Sequence, residues 1–368
     1  MRRWLGQQIF IGLSGKSLTE DEKKFIVENN IGGVTLFGRN CESPEQIRQL
    51  CAEIQNLRHR MPDKAPLFIG IDMEGGRVAR LKTPFTQWPP LQKLGDLDSP
   101  TASFNFALAM GREMKAVGIN LDYAPCIDVF SNPTNPVIGD RALSSDPEMV
   151  AKHATALIRG YMKAEIVPCV KHFPGHGNTK VDSHLDLPVE EATLEHLHNV
   201  ELVPFKKSIR ARLDLLMSAH IRFPNIDKEW PATLSEIFLK DILRDDLRYR
   251  GFVITDDLGM KAMSAHFSAE MIPVRALQAG CDILLYCNEP EAPPKALVSL
   301  EKALKDGALN IEKIKETHKD LLLWKKKALK NPDPLDAASA AKLIGHADHF
   351  KLSQAIAAGE VPPGLVAF

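Results

Sequence analysis

The chain has 368 residues, 44% of them hydrophobic and 25% charged, and its 46 basic and 47 acidic residues leave a net charge of −1. That balance belongs to a globular protein with enough core to need no covalent staples. It gives no global electrostatic reason to bind nucleic acid or an anionic membrane. The six cysteines, Cys41, Cys51, Cys126, Cys169, Cys281 and Cys287, form no CxxC pair and fall at unrelated spacings. They read as reduced thiols of a cytosolic protein, not as a disulfide framework. The start, Met1-Arg2-Arg3-Trp4, has the basic residues of a signal peptide, but Gln7 and Gln8 interrupt the apolar stretch that should follow. Residues 9–13 are too short for a signal core, and no other run is long enough to span a bilayer, so a cytoplasmic location is expected.

In chain order, short apolar runs alternate with longer charged stretches of helical period. The spacing predicts strands over residues 9–13, 33–37, 67–72, 120–124, 169–173, 215–220, 252–256 and 282–287. Helices are predicted over 19–29, 43–60, 101–117, 146–163, 194–210, 234–247, 269–279 and 291–305. Ser43-Pro44-Glu45-Gln46 and Ser145-Asp146-Pro147-Glu148 carry the cap, proline and acid signals of helix starts. Such alternation demands parallel βαβ units. An open doubly wound sheet alternates too, but it gathers chemistry at one switch point. Here Asp72, His172, His220 and Asp256 end four different strands, and eight strands are what a closed (β/α)8 TIM barrel requires. A single catalytic barrel over residues 1–330 is therefore expected. Residues 331–368, opening on Asn331-Pro332-Asp333-Pro334, should form a tail packed on it, with one more helix over 337–352.

Five segments carry candidate chemistry. Lys171-His172-Phe173-Pro174-Gly175-His176-Gly177, followed by Asp182-Ser183-His184, packs a lysine, three histidines and an aspartate behind one strand. A polar surface loop would account for a few of these groups but hardly for so many at a barrel strand end. Pro174 and Gly175 preclude the helical HExxH metal arrangement for His172 and His176. Asp182 can fix the tautomer of His184 and make it a general acid or base. Gly70-Ile71-Asp72-Met73-Glu74-Gly75-Gly76-Arg77-Val78-Ala79-Arg80 ends a strand in an acid and adds arginines, a mixture suited to a many-hydroxyl ligand; an ion pair bracing the loop is the bland alternative. Thr255-Asp256-Asp257 closes another strand with two carboxylates, one a candidate glycosidase nucleophile and the other a candidate helix cap. Val137-Ile138-Gly139-Asp140-Arg141 offers Arg141 to a ligand. Met217-Ser218-Ala219-His220 offers His220, either as a lining residue or as a buried hydrogen-bonded one.

Taken together, GGVTLFGRN (32–40), GIDMEGGRVARL (70–81), VIGDRALSSDP (137–147), KHFPGHG with DSH (171–177 and 182–184), MSAHI (217–221) and VITDDLGM (253–260) resemble glycoside hydrolase family 3, specifically its bacterial β-N-acetylglucosaminidases of cell-wall recycling. The segments match in order and spacing from the N-terminus to about the eighth strand. Met73, Thr255 and Gly259 depart from commoner residues of the family pattern without removing a chemical role. The resemblance implies that Asp256 is the nucleophile, a choice over Asp257 that strand alternation alone does not make. It implies that His184 is the acid/base, paired with Asp182, and that Asp72, Arg80, Arg141, Lys171 and His172 bind the sugar.

The implied reaction is retaining, exo-acting removal of terminal N-acetylglucosamine from peptidoglycan fragments such as its 1,6-anhydro-N-acetylmuramic acid disaccharide, with or without peptide. It proceeds through a glycosyl-enzyme and needs no metal or organic cofactor. The implied partner is a small muropeptide or amino sugar, with no nucleic acid, no membrane and a monomer favoured. Three rival readings stay open. A β-N-acetylglucosaminide phosphorylase is allowed because a histidine repels an anionic acceptor less than a carboxylate does. A broader family 3 β-glucosidase is the second, and a metal-dependent barrel hydrolase using the histidines as ligands is the third.

Overall fold

The structure is a computed structural model that describes residues 1–180, 183 and 186–367. Its strands are β1 (Ile9–Gly12), β2 (Gly33–Leu36), β3 (Phe68–Ile71), β4 (Met73–Gly75), β5 (Val78–Ala79), β6 (Leu121–Asp122), β7 (Val167–Phe173), β8 (Leu215–Ser218), β9 (Phe252–Asp257) and β10 (Ile283–Tyr286). Eight of them close a parallel barrel in the order β1-β2-β3-β6-β7-β8-β9-β10, with β10 returning to β1 through Ile9 opposite Leu284 and Phe10 opposite Leu285. Each falls on a predicted run, and the fold is the expected (β/α)8 barrel. The antiparallel hairpin of β4 and β5 stands on the end of β3.

Side-chain parity along each strand sorts the core into two layers. Phe10, Phe68, Leu121, Val167, Cys169, Leu215, Met217, Ile254, Ile283 and Leu285 fill the barrel interior. Their neighbours Ile9, Ile11, Ile69, Val170, Leu216, Val253 and Leu284 pack outward in the helix-facing core. Gly70 takes an inward position, and the space a Cβ would fill there is held by the Tyr123 ring, whose hydroxyl would stand 2.7 Å away. The same parity carries Asp72 inward beyond β3, Lys171 inward near the end of β7 and Asp256 inward near the end of β9.

The helices begin as their sequence signals require. Ser43 accepts the N–H of Gln46 ahead of Pro44–Asn56, and Asp146 accepts that of Glu148 ahead of Pro147–Lys163. Two expected helices are each divided. The stretch 194–210 forms Leu194–Asn199 and Leu202–Arg210. Pro204 has no N–H to give and its ring crowds the carbonyl four residues back, so the first helix cannot run through. The stretch 337–352 forms Ala337–Leu343 and Ala347–Ala358, because Gly345 turns the chain at φ +64° and His346 caps the second helix through Asp348 N–H. That last helix contacts the barrel domain through His349 Nδ1, 2.7 Å from Glu113 Oε1, and through Ser353, whose hydroxyl donates to Gln87 O at 2.6 Å. Among the described residues no helix is long and apolar enough to cross a membrane. All six cysteines are unpaired.

The helix Ile311–Ala328 seals the floor of the barrel. Leu321 and Trp324 join the interior cluster, with the Trp324 ring 4.5 Å from Phe68 and 4.7 Å from Phe252. The next residue, Lys325, is fully buried and donates to Gln7 Oε1 and Gly32 O, both at 2.7 Å. Burial pulls its ammonium from 10.5 down to about 7, against a weaker opposing pull from Asp63. Between those two values the folded chain has shed a proton that the unfolded chain still holds, so Lys325 makes stability rise with pH across that window. Replacing Lys325 by methionine should remove this slope. Thermal unfolding of both proteins across the window is the check, and parallel pH dependences would refute it.

Candidate active site

A cavity of about 440 Å³ opens at the C-terminal end of the barrel, where barrel enzymes carry their chemistry. Its wall draws on strand ends around the ring: Thr35 and Phe37, Asp72 and Glu74, Lys171 and His172, and Asp256 and Asp257. Tyr123 lies at the bottom, its hydroxyl 2.7 Å from that of Thr35.

One side of the cavity is a buried ionic lattice. Lys171 Nζ lies 2.7 Å from both Asp72 Oδ1 and Glu74 Oε1. Arg141 grips the same Glu74 with two parallel bonds, Nε to Oε2 and Nη2 to Oε1, both 2.8 Å. Such forked pairing fixes both partners in one plane. Burial alone would raise Glu74, but Arg141 and Lys171 outweigh it and hold the carboxyl well below its usual range. Burial alone would lower Lys171, and Asp72 and Glu74 reverse that, so the ammonium is held above its usual range. Arg80 approaches Asp72 Oδ2 at 3.6 Å, and its Nε is buried without a hydrogen-bond partner among the described residues. The hairpin makes this assembly possible, since β4 turns Glu74 toward Arg141 while β5 delivers Arg80. Arg77, at the hairpin turn, ties the loop bearing Arg141 in place by donating to Val137 O at 2.5 Å, Ile138 O at 3.0 Å and Asp140 Oδ1 at 2.9 Å.

The next wall centres on Asp128, which is wholly buried. Its Oδ1 accepts the backbone N–H of His172 at 3.1 Å and of His176 at 2.7 Å, and its Oδ2 lies 2.7 Å from His172 Nδ1. Burial would raise this carboxyl, but His172 overrides it and keeps Asp128 an anion, so Nδ1 must be the donor and Nε2 is left to the cavity. His176 is buried behind His172, with Nδ1 2.7 Å from Thr179 Oγ1 and Nε2 3.3 Å from Ser183 Oγ. Burial first, and His172 second, bring it down to about 4.

The two carboxylates closing β9 have different surroundings. Asp257 is buried; Oδ1 accepts the N–H groups of Gly259 at 3.0 Å and Cys287 at 3.1 Å, and Oδ2 accepts Asn288 Nδ2 at 3.3 Å. It holds the turn after β9 against the end of β10. Asp256 lies on the inward parity of the strand and lines the cavity, with Oδ1 accepting the Asp257 N–H at 2.8 Å.

Of the residues singled out in the sequence, the structure brings Asp72, Arg80, Arg141, Lys171, His172 and Asp256 to one cavity. Asp182 and His184 lie outside the described residues, while Ser183 between them lines the cavity. His220 is 1% exposed, with Nδ1 2.9 Å from Thr233 Oγ1 and Nε2 3.1 Å from Asp257 O. It is buried and hydrogen-bonded, and through Asp257 O it ties the end of β8 to the end of β9. Sequence reasoning assigned no role to Glu74 or Asp128. Glu74 stood in plain view two residues after Asp72. Asp128 was reachable only as an acid set among Cys126, Ile127 and Val129, all of them buried.

A closed barrel with acids and bases converging on one polar cavity defines an enzyme of the barrel class, and comparison with known proteins makes the class definite. The model of the glycosyl hydrolase family 3 N-terminal domain matches residues 5–322. A β-hexosaminidase of Nitrosomonas eutropha is 37% identical over 299 residues, which cover 80% of this chain and 84% of that protein. The structure of a family 3 β-N-acetylglucosaminidase from Paenibacillus superposes with a TM-score of 0.90 at 34% identity, covering 98% of this chain and 68% of that one. Native NagZ from Neisseria gonorrhoeae superposes at 0.78 with 32% identity, covering 96% of this chain and 98% of that one. The chain belongs to glycoside hydrolase family 3 and is a glycoside hydrolase.

Proposed function

We propose that the protein is a retaining exo-β-N-acetylglucosaminidase. It would release the non-reducing terminal sugar from peptidoglycan fragments, including the disaccharide with 1,6-anhydro-N-acetylmuramic acid, with or without peptide. The observation that carries the reading is the division of labour on β9: Asp257 is held on both oxygens, while Asp256 lines the cavity beside the Asp72–Lys171–Glu74–Arg141 lattice. Relatives bearing the β-hexosaminidase and β-N-acetylglucosaminidase names support the amino-sugar class.

In this reading Asp256 attacks the anomeric carbon while His184, paired with Asp182, protonates the departing oxygen. A covalent glycosyl-enzyme forms, and water then attacks it as His184 takes back a proton. Asp72 and His172 Nε2 accept from sugar hydroxyls, and Lys171, Arg80 and Arg141 donate to sugar oxygens. A substrate lacking one of those groups leaves a buried partner unpaired, which is the source of selectivity. The barrel, residues 1–330, and the tail, residues 331–368, act as one cytoplasmic catalytic unit.

The test is release of 4-nitrophenol from its β-N-acetylglucosaminide and its β-glucoside, with and without phosphate. Cleavage of the first alone, indifferent to phosphate, is expected. Equal cleavage of both sugars would overturn the substrate class, and a sugar phosphate product would replace hydrolysis by phosphorolysis. A second arm concerns the acid. His184→Ala should cripple cleavage of a disaccharide, whose alkoxide leaves poorly without a proton, and spare much of the first-step rate on the nitrophenyl sugar. An equal loss on both substrates would refute an acid role.

A further inference from the structure

Just behind the cavity wall, three buried ligand atoms converge: Cys126 Sγ, Asp128 Oδ2 and His172 Nδ1 all lie within 4.8 Å of one another. The Cys126 thiol donates to Asp128 Oδ2 at 3.3 Å, and His172 Nδ1 is 2.7 Å from the same oxygen. Two exchangeable hydrogens therefore point at one carboxylate oxygen. The other oxygen is anchored separately by the backbone N–H groups of His172 and His176.

We propose that Cys126, Asp128 and His172 form a binding site for a thiophilic divalent cation such as zinc, which takes the place of those two hydrogens. A thiolate, a carboxylate oxygen and an imidazole nitrogen are a donor set that zinc accepts, with water completing a tetrahedron. The protons balance: that of the thiol passes to solvent, and that of the imidazole Nδ1 reappears on Nε2 of the same ring. Two anionic ligands neutralise the dication, which suits a buried position. The anchored Oδ1 is the kind of outer support that keeps a ligating carboxylate oriented. Cys126 is completely buried and His172 is 7% exposed and lines the cavity, so the ion enters from the cavity past His172.

The ion would also be felt by the substrate, a consequence that rests on the proposed sugar-binding role of His172. In the neutral ring Nε2 accepts; with the metal on Nδ1 it becomes a donor. A sugar hydroxyl placed to donate then meets an N–H, and hydrolysis is inhibited.

Cobalt(II) titration of the full-length protein tests the site without relying on activity. One equivalent should bring up a near-ultraviolet thiolate-to-cobalt charge-transfer band that zinc abolishes. Cys126→Val and Cys126→Ala, each confirmed as folded by its unfolding transition, should lack the band and need about tenfold more zinc for inhibition. Two variants guard against one that does not fold. Absence of the band in the wild type, or an equal band in the variants, overturns the proposal. An intact band in a protein that cleaves no hexosaminide would instead sink only the functional reading.

Discussion

Asp256→Ala is expected to lower kcat/KM for a β-N-acetylglucosaminide by roughly 10⁴-fold or more, the scale seen when a covalent nucleophile is removed from an otherwise intact site. The unfolding transition of the variant should be recorded beside its kinetics, so that a loss of rate is read from folded protein. The variant also allows the stereochemistry to be read. With the carboxylate gone, azide has room on that face of the sugar and should yield an α-glycosyl azide from the activated substrate. Full activity in the variant, or a β-azide, would remove Asp256 from the nucleophile's role. Asp257→Asn is the companion measurement. Its amide oxygen can still accept the Gly259 and Cys287 N–H groups, so a much smaller loss is expected.

The contrast between these two neighbours shows where sequence reasoning stopped. The barrel was legible because eight apolar runs alternate with capped, periodic helices, and the strand-end acids and histidines told which face would work. The orientation of β9 was not legible. In a parallel sheet both faces are buried, so Val253 and Ile254 are equally apolar and leave no period to read. Only the closed barrel, with Ile254 in its interior and Val253 outside, settles that Asp256 points inward. The same limit hid Asp128, whose value lies in the backbone of a strand distant in sequence. The single helix expected over 337–352 was misjudged for a different reason. A helical period runs through 337–352, and it outweighed Gly345, whose positive φ breaks the helix. The single helix expected over 194–210 failed likewise, because the clash of Pro204 with the carbonyl four residues back divides it.

Glu74→Gln is the second large expected effect, and it separates stability from function. In the wild type Asp72 and Glu74 balance Lys171 and Arg141. The amide leaves one buried cation uncompensated and turns a donor toward donors. Breaking such a pair costs about 3–5 kcal/mol, measurable as a shift in the urea midpoint. The pH dependence has a definite sign. Because Glu74 is held below the usual carboxylate range, its contribution is complete above that range and lost only as pH falls through the folded value. The two proteins should therefore converge in stability only in strong acid. A buried ion pair is often no better for stability than a well-packed apolar pair, so Glu74→Leu combined with Arg141→Met should recover much of the lost midpoint. Hydrolysis should not return, because Lys171 would have lost one of its two anchors and the cavity its guanidinium. Recovery of activity together with stability would mean that the lattice only holds the barrel mouth together, and that the sugar is gripped elsewhere.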